Sequence, residues 1–152
     1  MNRPTGWNFK AILSGWATDI FGSQIGASVV AVPMAMGMTQ NGASPQQIEA
    51  RLLNEPVALI LFMIVGLIFT TTGGFVSAHL AGRDEVRHAT ATGVLSLVFS
   101  LAVMAFTPRL PIWYMVVATL LVVPCAALGG FIRSKQPTHE KPDSGNPPIP
   151  EP

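Results

Sequence analysis

Four long apolar stretches dominate the pattern of hydrophobic and polar positions in this 152-residue chain. They cover residues 11–38, 56–80, 89–107 and 111–132 and hold one formal charge, Asp19. The other sixteen Lys, Arg, Asp and Glu residues lie in the connections and at the two ends. About 20 apolar residues in a helix cross the ~30 Å hydrocarbon core of a bilayer. The pattern therefore predicts an all-α, polytopic membrane protein with four transmembrane helices in an antiparallel bundle.

The lengths and ends of these stretches favour retained helices. Strands of a membrane barrel are alternating segments of about ten residues, much shorter than the apolar runs seen here. Pro56 opens the second run, and proline is well tolerated at a first helical position. A cleaved signal peptide is the alternative for the first run. Its apolar region is about 7–15 residues long, whereas residues 11–38 form a longer run that includes Asp19.

The connections add one short helix and one tail. Ser44, Pro45 and Gln47 form a helix-start signal, with serine as the cap and glutamine three residues later. We expect an amphipathic helix over about 45–54 at the exterior interface. Residues 134–152 contain six prolines and no aromatic residue, so they predict a disordered, proline-rich cytoplasmic tail. The transmembrane domain is expected to cover residues 1–133.

The cationic residues predict the orientation. Cytoplasmic ends and loops of membrane proteins carry an excess of Lys and Arg. Seven of the nine cations fall on the side that holds both termini and the loop between the second and third spans; Arg51 and Arg109 fall on the other side. Both termini are therefore predicted to be cytoplasmic.

Composition excludes several classes of protein. Hydrophobic residues make up 49% of the chain and charged residues 11%, and the net charge of +1 provides no basic field for nucleic acid. A single cysteine, Cys125, rules out an internal disulfide and a cysteine-based zinc site. The chain has no phosphate-binding loop, nucleophile elbow or HExxH motif. We expect no enzyme activity, cofactor, metal or catalytic residue.

Asp19 is the most informative single residue. An ionised Asp at the centre of a transmembrane helix costs about 2.5–3.5 kcal/mol on insertion scales, so such acids mark either function or internal pairing. The functional interpretation is a proton relay, a cation site or a contact between subunits. The structural interpretation is a protonated Asp19 that is hydrogen-bonded to Thr70, Thr71 or the backbone near Gly73–Gly74. We expect the structural role, because His79 is the only other titratable candidate within a span.

Small residues recur at steps of three and four in every span. Lipid does not drive helices together by a hydrophobic effect, so spans associate through close packing of such residues. The candidate seam residues are Gly15, Gly22, Gly26, Gly74, Ala78, Gly82 and Gly93. These seams either pack within the chain's own bundle, which we expect, or form a face for self-association.

A dense polar corner is predicted at the cytoplasmic turn between the second and third spans. It contains His79, Arg83, Asp84, Glu85, Arg87 and His88. Two histidines beside carboxylates raise the possibility of a metal site, but their spacing matches no ligand pattern. We expect a solvated turn whose cations contact anionic headgroups. Gly82 is expected to end the second span and Asp84 to cap the third.

Residues 73–83, with the sequence Gly-Gly-Phe-Val-Ser-Ala-His-Leu-Ala-Gly-Arg, resemble a group of small bacterial four-span integral membrane proteins without a known activity. The shared pattern is Gly-Gly-aromatic followed by Ala-Gly-Arg at the turn. Residues 19–23 and 44–48 are similar to the same group. The resemblance implies a bacterial cytoplasmic (inner) membrane protein and carries no catalytic residue over.

These observations leave three classes of function. The leading expectation is a non-enzymatic accessory or scaffold component, whose partners are the lipid bilayer and either other membrane proteins or a second copy. The alternative is a small transporter or channel subunit that uses Asp19 as a proton or cation site. A lipid-directed enzyme would need the corner around His79 and His88, and it has the least support.

Overall fold

The computed structural model describes residues 6–106 and 110–136, and these residues form five α-helices. The bounds are α1 Phe9–Gln40, α2 Pro45–Asn54, α3 Pro56–Ala81, α4 Glu85–Phe106 and α5 Ile112–Ser134. Four of them, all except α2, are long and apolar enough to cross a membrane. The chain is therefore an all-helical protein whose four long helices indicate a membrane protein.

Local signals set the ends of these helices. The Asn8 side chain caps α1 by accepting a hydrogen bond from the backbone N–H of Ala11 at 3.2 Å. Ser44 and Gln47 form the expected reciprocal capping box at the start of α2. Pro56 is the first residue of α3. The first N–H groups of a helix have no partner inside it. The capping side chains accept hydrogen bonds from such groups, and proline has no N–H group at all.

The predicted spans and the observed helices nearly coincide. α1 extends the predicted run by two residues at each end, and α5 begins one residue later and ends two residues later than predicted. α4 begins four residues earlier than predicted, at Glu85. The predicted end of the third span at residue 107 and nearly all of the predicted tail, residues 137–152, lie outside the described residues. The start of that tail differs from the prediction, because Ser134 is still helical.

α3 is the central element of the packing. It contacts each of the other four helices, and α4 contacts α1, α3 and α5. The short helix α2 packs against α1 and α3. Among the described residues, α1 and α5 do not contact each other. α1 is therefore packed against α3 and α4.

Small residues fill the interior, and large apolar residues cover the exterior. The buried apolar side chains are mostly alanine, including Ala58, Ala78, Ala89 and Ala126, whereas Phe21, Ile25 and Val29 on α1 are exposed. A protein in water buries its large apolar residues. The opposite arrangement is typical of helices that pack closely inside a bilayer and turn bulky side chains towards lipid.

The candidate seam glycines lie where helices approach one another most closely. A Cβ atom added at Gly15 would lie 2.5 Å from the carbonyl oxygen of Gly73, and one added at Gly93 would lie 2.7 Å from the Cβ of Ala126. Gly22 faces the Phe69 ring, while Gly26 faces both that ring and Val65. Gly74 lies directly against the backbone of Ala126, and Ala78 is fully buried. The small residues therefore face other helices of the same chain.

Gly82 is the exception, because it lies against no other helix of the chain. It is exposed, and an added Cβ would meet no atom within 4 Å. Its backbone has φ 65°, and its N–H bonds the carbonyl oxygen of Ala78 to end α3. Spacing alone grouped Gly82 with Gly74 and Ala78, but its left-handed backbone gives it the helix-ending role that was also expected.

Candidate functional site

Asp19 lies between three helices and is 5% exposed. Thr70 on α3 donates a hydrogen bond to Oδ1 of Asp19 at 2.8 Å, and Ser96 on α4 donates to Oδ2 at 2.5 Å. Each carboxylate oxygen therefore accepts from a different helix. Hydrogen bonds of hydroxyl groups to a carboxylate are stronger than those between neutral groups. Asp19 thus joins α1, α3 and α4 at one point.

Glycine makes this meeting point possible. A Cβ added at Gly73 would lie 3.0 Å from the Cβ of Asp19 and 2.5 Å from the carbonyl oxygen of Gly15. Without side chains at Gly15 and Gly73, the backbones of α1 and α3 approach closely enough for Thr70 to reach the carboxylate. The small-residue pattern and the buried acid therefore belong to one structural unit.

A cavity of about 130 Å³ adjoins Asp19. Besides Asp19, the polar residues of its lining all carry hydroxyl groups: Ser23, Thr70, Ser96, Ser100 and Tyr114. The apolar part of the lining comes from α1, α3 and α5: Ile20, Phe62, Met63, Gly66, Leu67, Ala118 and Val122. We call this space, with its thirteen lining residues, the Asp19 cavity.

A second polar centre lies at the start of α4. His88 is 2% exposed, and its Nε2 accepts a hydrogen bond from the backbone N–H of Asn8 at 3.0 Å. Its Nδ1 lies 3.1 Å from the carbonyl oxygen of Asp84. The Arg87 guanidinium lies 4.4 Å from the centroid of the Trp7 ring, within the range of a cation–π interaction. The segment before α1 is therefore held against α4.

The structure separates the two histidines of the predicted corner. His79 is exposed on α3, and its Nδ1 accepts a hydrogen bond from Nε of Arg133 on α5 at 3.0 Å. His88 instead faces Asn8, and Arg83 is exposed at the turn. Within residues 6–106 and 110–136, no group of three His, Cys, Asp or Glu residues is arranged to hold a metal ion.

The sequence pointed to Asp19 and to Thr70 as a partner, but not to three other partners. Ser96 stood out only as a small residue in a packing seam, although a hydroxyl at that position was a signal for a hydrogen bond. Asn8 and Arg133 carried no signal for a histidine partner, because their positions in the chain are 80 and 54 residues away from His88 and His79. Thr71, the other expected hydroxyl, bonds Leu67 of its own helix.

Comparison with known proteins adds no relative: no family model, no curated protein and no solved structure matches this chain. The resemblance of residues 73–83 to small bacterial four-span proteins therefore stays a prediction, and the functional argument is based on the geometry of the chain itself.

Proposed function

We propose that this chain is a multi-pass protein of a bacterial cytoplasmic membrane, with α1, α3, α4 and α5 as an antiparallel four-span bundle and both termini in the cytoplasm. The excess of Lys and Arg on the side of the termini supports this orientation. The contacts of α1 with α3 support the antiparallel order, since Gly15 meets Ser77 whereas Gly26 meets Val65.

Single cysteine residues test this topology. Cys125 is first replaced by serine, and a cysteine is then placed at Ser44 or at Arg83, both of which are exposed. We expect a membrane-impermeant maleimide added to intact cells to label S44C and to label R83C only after the membrane is opened. Equal labelling of both in intact cells would contradict the orientation, and recovery of the protein in the soluble fraction without detergent would contradict the membrane placement.

Within that membrane, we infer a non-enzymatic accessory or scaffold role. The observation that carries this inference is the bonding of Asp19, whose two carboxylate oxygens accept from Thr70 and Ser96 and so join three spans. His79 with Arg133, and Asn8 with His88, add two further ties between chain segments. Buried polar groups that link helices stabilise one arrangement of the spans, as a scaffold requires.

Copurification tests the scaffold role. The tagged protein is extracted from its native membrane in mild detergent and compared with G74A, in which the approach of α3 to α5 is blocked. We expect a defined membrane partner in a fixed ratio with the wild-type chain and a reduced amount with G74A. Recovery of the chain without a stoichiometric partner would contradict this role.

The Asp19 cavity favours a second candidate, a small transporter or channel subunit. Transporter sites lie near the middle of the bilayer and contain the few polar groups that face away from lipid. We expect purified protein in liposomes to give a proton or cation flux that D19N abolishes and that Q24L, on the exposed face of α1, leaves unchanged. Absence of a flux in the wild-type protein would exclude this candidate.

A further inference from the structure

We propose that the Asp19 cavity binds one small monovalent cation of the alkali-metal class, typified by Na⁺. This inference deepens the second candidate function, because it names the occupant of that site. It concerns equilibrium binding and does not require that the ion be transported.

The first argument is the direction of the hydrogen bonds around the cavity. Thr70 and Ser96 donate their hydroxyl protons to Asp19. Ser23 donates to backbone carbonyl oxygens of its own helix, those of Asp19 and Ile20. A hydroxyl whose proton is already donated presents its oxygen lone pairs to its surroundings. Together with the carboxylate, these three side chains offer the cavity an oxygen-rich surface that accepts a cation or a donor.

The second argument is charge. Both oxygens of Asp19 accept a hydrogen bond, one from Thr70 and one from Ser96, an arrangement that suits a carboxylate group, which is an acceptor only. Among the described residues that line the cavity, none is Lys, Arg or His, so the carboxylate has no cationic side chain there to balance it. A single positive charge neutralises the site. A divalent ion would leave an excess charge in a medium of low dielectric constant, which is costly.

The third argument is size. The cavity volume of about 130 Å³ is enough for several water molecules. Sites for organic ligands of drug size have volumes of about 300–1,000 Å³. The space therefore suits an inorganic cation with a few waters. Ligands that are all oxygen also suit hard cations rather than soft transition metals.

The position of the cavity indicates how the ion enters. On α3 the lining extends from Thr70 to Phe62, about 12 Å along the helix axis. On α5 it reaches Tyr114, two residues after the helix begins. Asp19 is therefore at the deep end, and the cavity extends towards the end of the bundle next to α2. In the proposed topology, that end faces the exterior.

The test is equilibrium binding of radioactive Na⁺ to the full chain in lipid nanodiscs, together with thermal unfolding in NaCl and in choline chloride at equal ionic strength. The variants are D19N, S100A and the pair S23A and S28A. Ser23 and Ser28 both lie on α1 and both donate to the carbonyl four residues earlier. Only Ser23 lines the cavity, so S28A is the matched control.

We expect saturable binding of one Na⁺ per chain and a higher unfolding temperature in NaCl than in choline chloride. D19N should abolish both effects. S23A and S100A should each weaken Na⁺ binding about tenfold, the usual effect of losing one contact to a charged group. S28A should leave Na⁺ binding unchanged. If D19N does not fold, S23A and S100A decide the matter, since both retain the carboxylate.

Three results would overturn the inference: no saturable Na⁺ binding, binding that D19N leaves intact, or an unfolding temperature that responds to pH but is equal in NaCl and choline chloride. The last result would make a proton the occupant. Binding without flux in liposomes would remove the transporter candidate and keep this site. A proton flux without Na⁺ binding would keep the transporter candidate and remove this cation site.

Discussion

The backbone N–H of Asn8 donates a hydrogen bond to Nε2 of His88, with 3.0 Å between the two nitrogen atoms. Because Nε2 is the acceptor, the proton of the neutral ring is on Nδ1, which can donate to the carbonyl oxygen of Asp84. The side chain of Asn8 also caps α1. One buried imidazole therefore fixes where α1 begins relative to α4.

Replacing His88 should loosen the start of α1. In H88A the N–H of Asn8 loses its acceptor, which we expect to lower the free energy of unfolding by about 1–3 kcal/mol. In H88Q the side-chain carbonyl oxygen can take the place of Nε2, so the loss should be about 1 kcal/mol smaller. Unfolding in mixed detergent micelles measures both. Equal losses in H88A and H88Q would show that ring packing, and not this hydrogen bond, is what matters.

Two replacements of Asp19 separate hydrogen bonding from charge. Asn keeps one acceptor for Thr70 or Ser96, whereas Leu keeps none, so D19L should destabilise the bundle by about 1–2 kcal/mol more than D19N. Q24L, an exposed polar-to-leucine change on the same helix, serves as the control and should be close to neutral. If D19N and D19L unfold alike, the negative charge of Asp19, and not its hydrogen bonding, contributes the stability.

The contact between α3 and α5 depends on glycines that have no room for a methyl group. At Gly74 a Cβ would overlap the backbone of Ala126, and at Gly129 it would overlap the backbone of Thr71. We expect G74A and G129A each to cost about 1–3 kcal/mol, the usual penalty of overpacking.

Gly66 provides the control for this prediction on the same helix. An added Cβ there would meet nothing within 4 Å. Because alanine is the better helix former, G66A should stabilise the protein by about 0.5–1 kcal/mol. Unfolding measurements on the three variants test the ordering, which would be refuted if G66A were as damaging as G74A.

The capping box of α2 should act locally. Ser44 Oγ accepts from the backbone N–H of Gln47 at 3.4 Å, and Gln47 Oε1 accepts from the backbone N–H of Ser44 at 2.9 Å. α2 has no buried residue, so the effect of S44A should stay within this helix. We expect S44A to lower the local stability of α2 by about 1 kcal/mol, measured as faster amide hydrogen exchange, and to leave the global free energy of unfolding unchanged. S44T keeps the hydroxyl and should exchange like the wild type. A global loss of stability in S44A would show that α2 is part of the cooperative core.

Local signals in the sequence were enough to predict which segments are helical and most of the points at which they begin and end. α2 was predicted over about 45–54 and is observed at Pro45–Asn54, because a capping box and a first-turn proline act within four residues. The second span was predicted over 56–80 and is observed at Pro56–Ala81. The length of an apolar run and the capping residues at its ends are properties of contiguous residues. They can therefore be recognised without knowing which other helices pack against the segment.

Which side chains meet could not be predicted from the sequence and follows from how the helices pack. Ser96 reaches Asp19 across 77 positions, and Asn8 reaches His88 across 80. Such pairs depend on the rotation of each helix and on its axial register. Small residues at every third or fourth position fit several rotations equally well, as the open position of Gly82 shows. Close contact between backbones selects one of these arrangements, and that selection places a carboxylate, two hydroxyl groups and a cavity together.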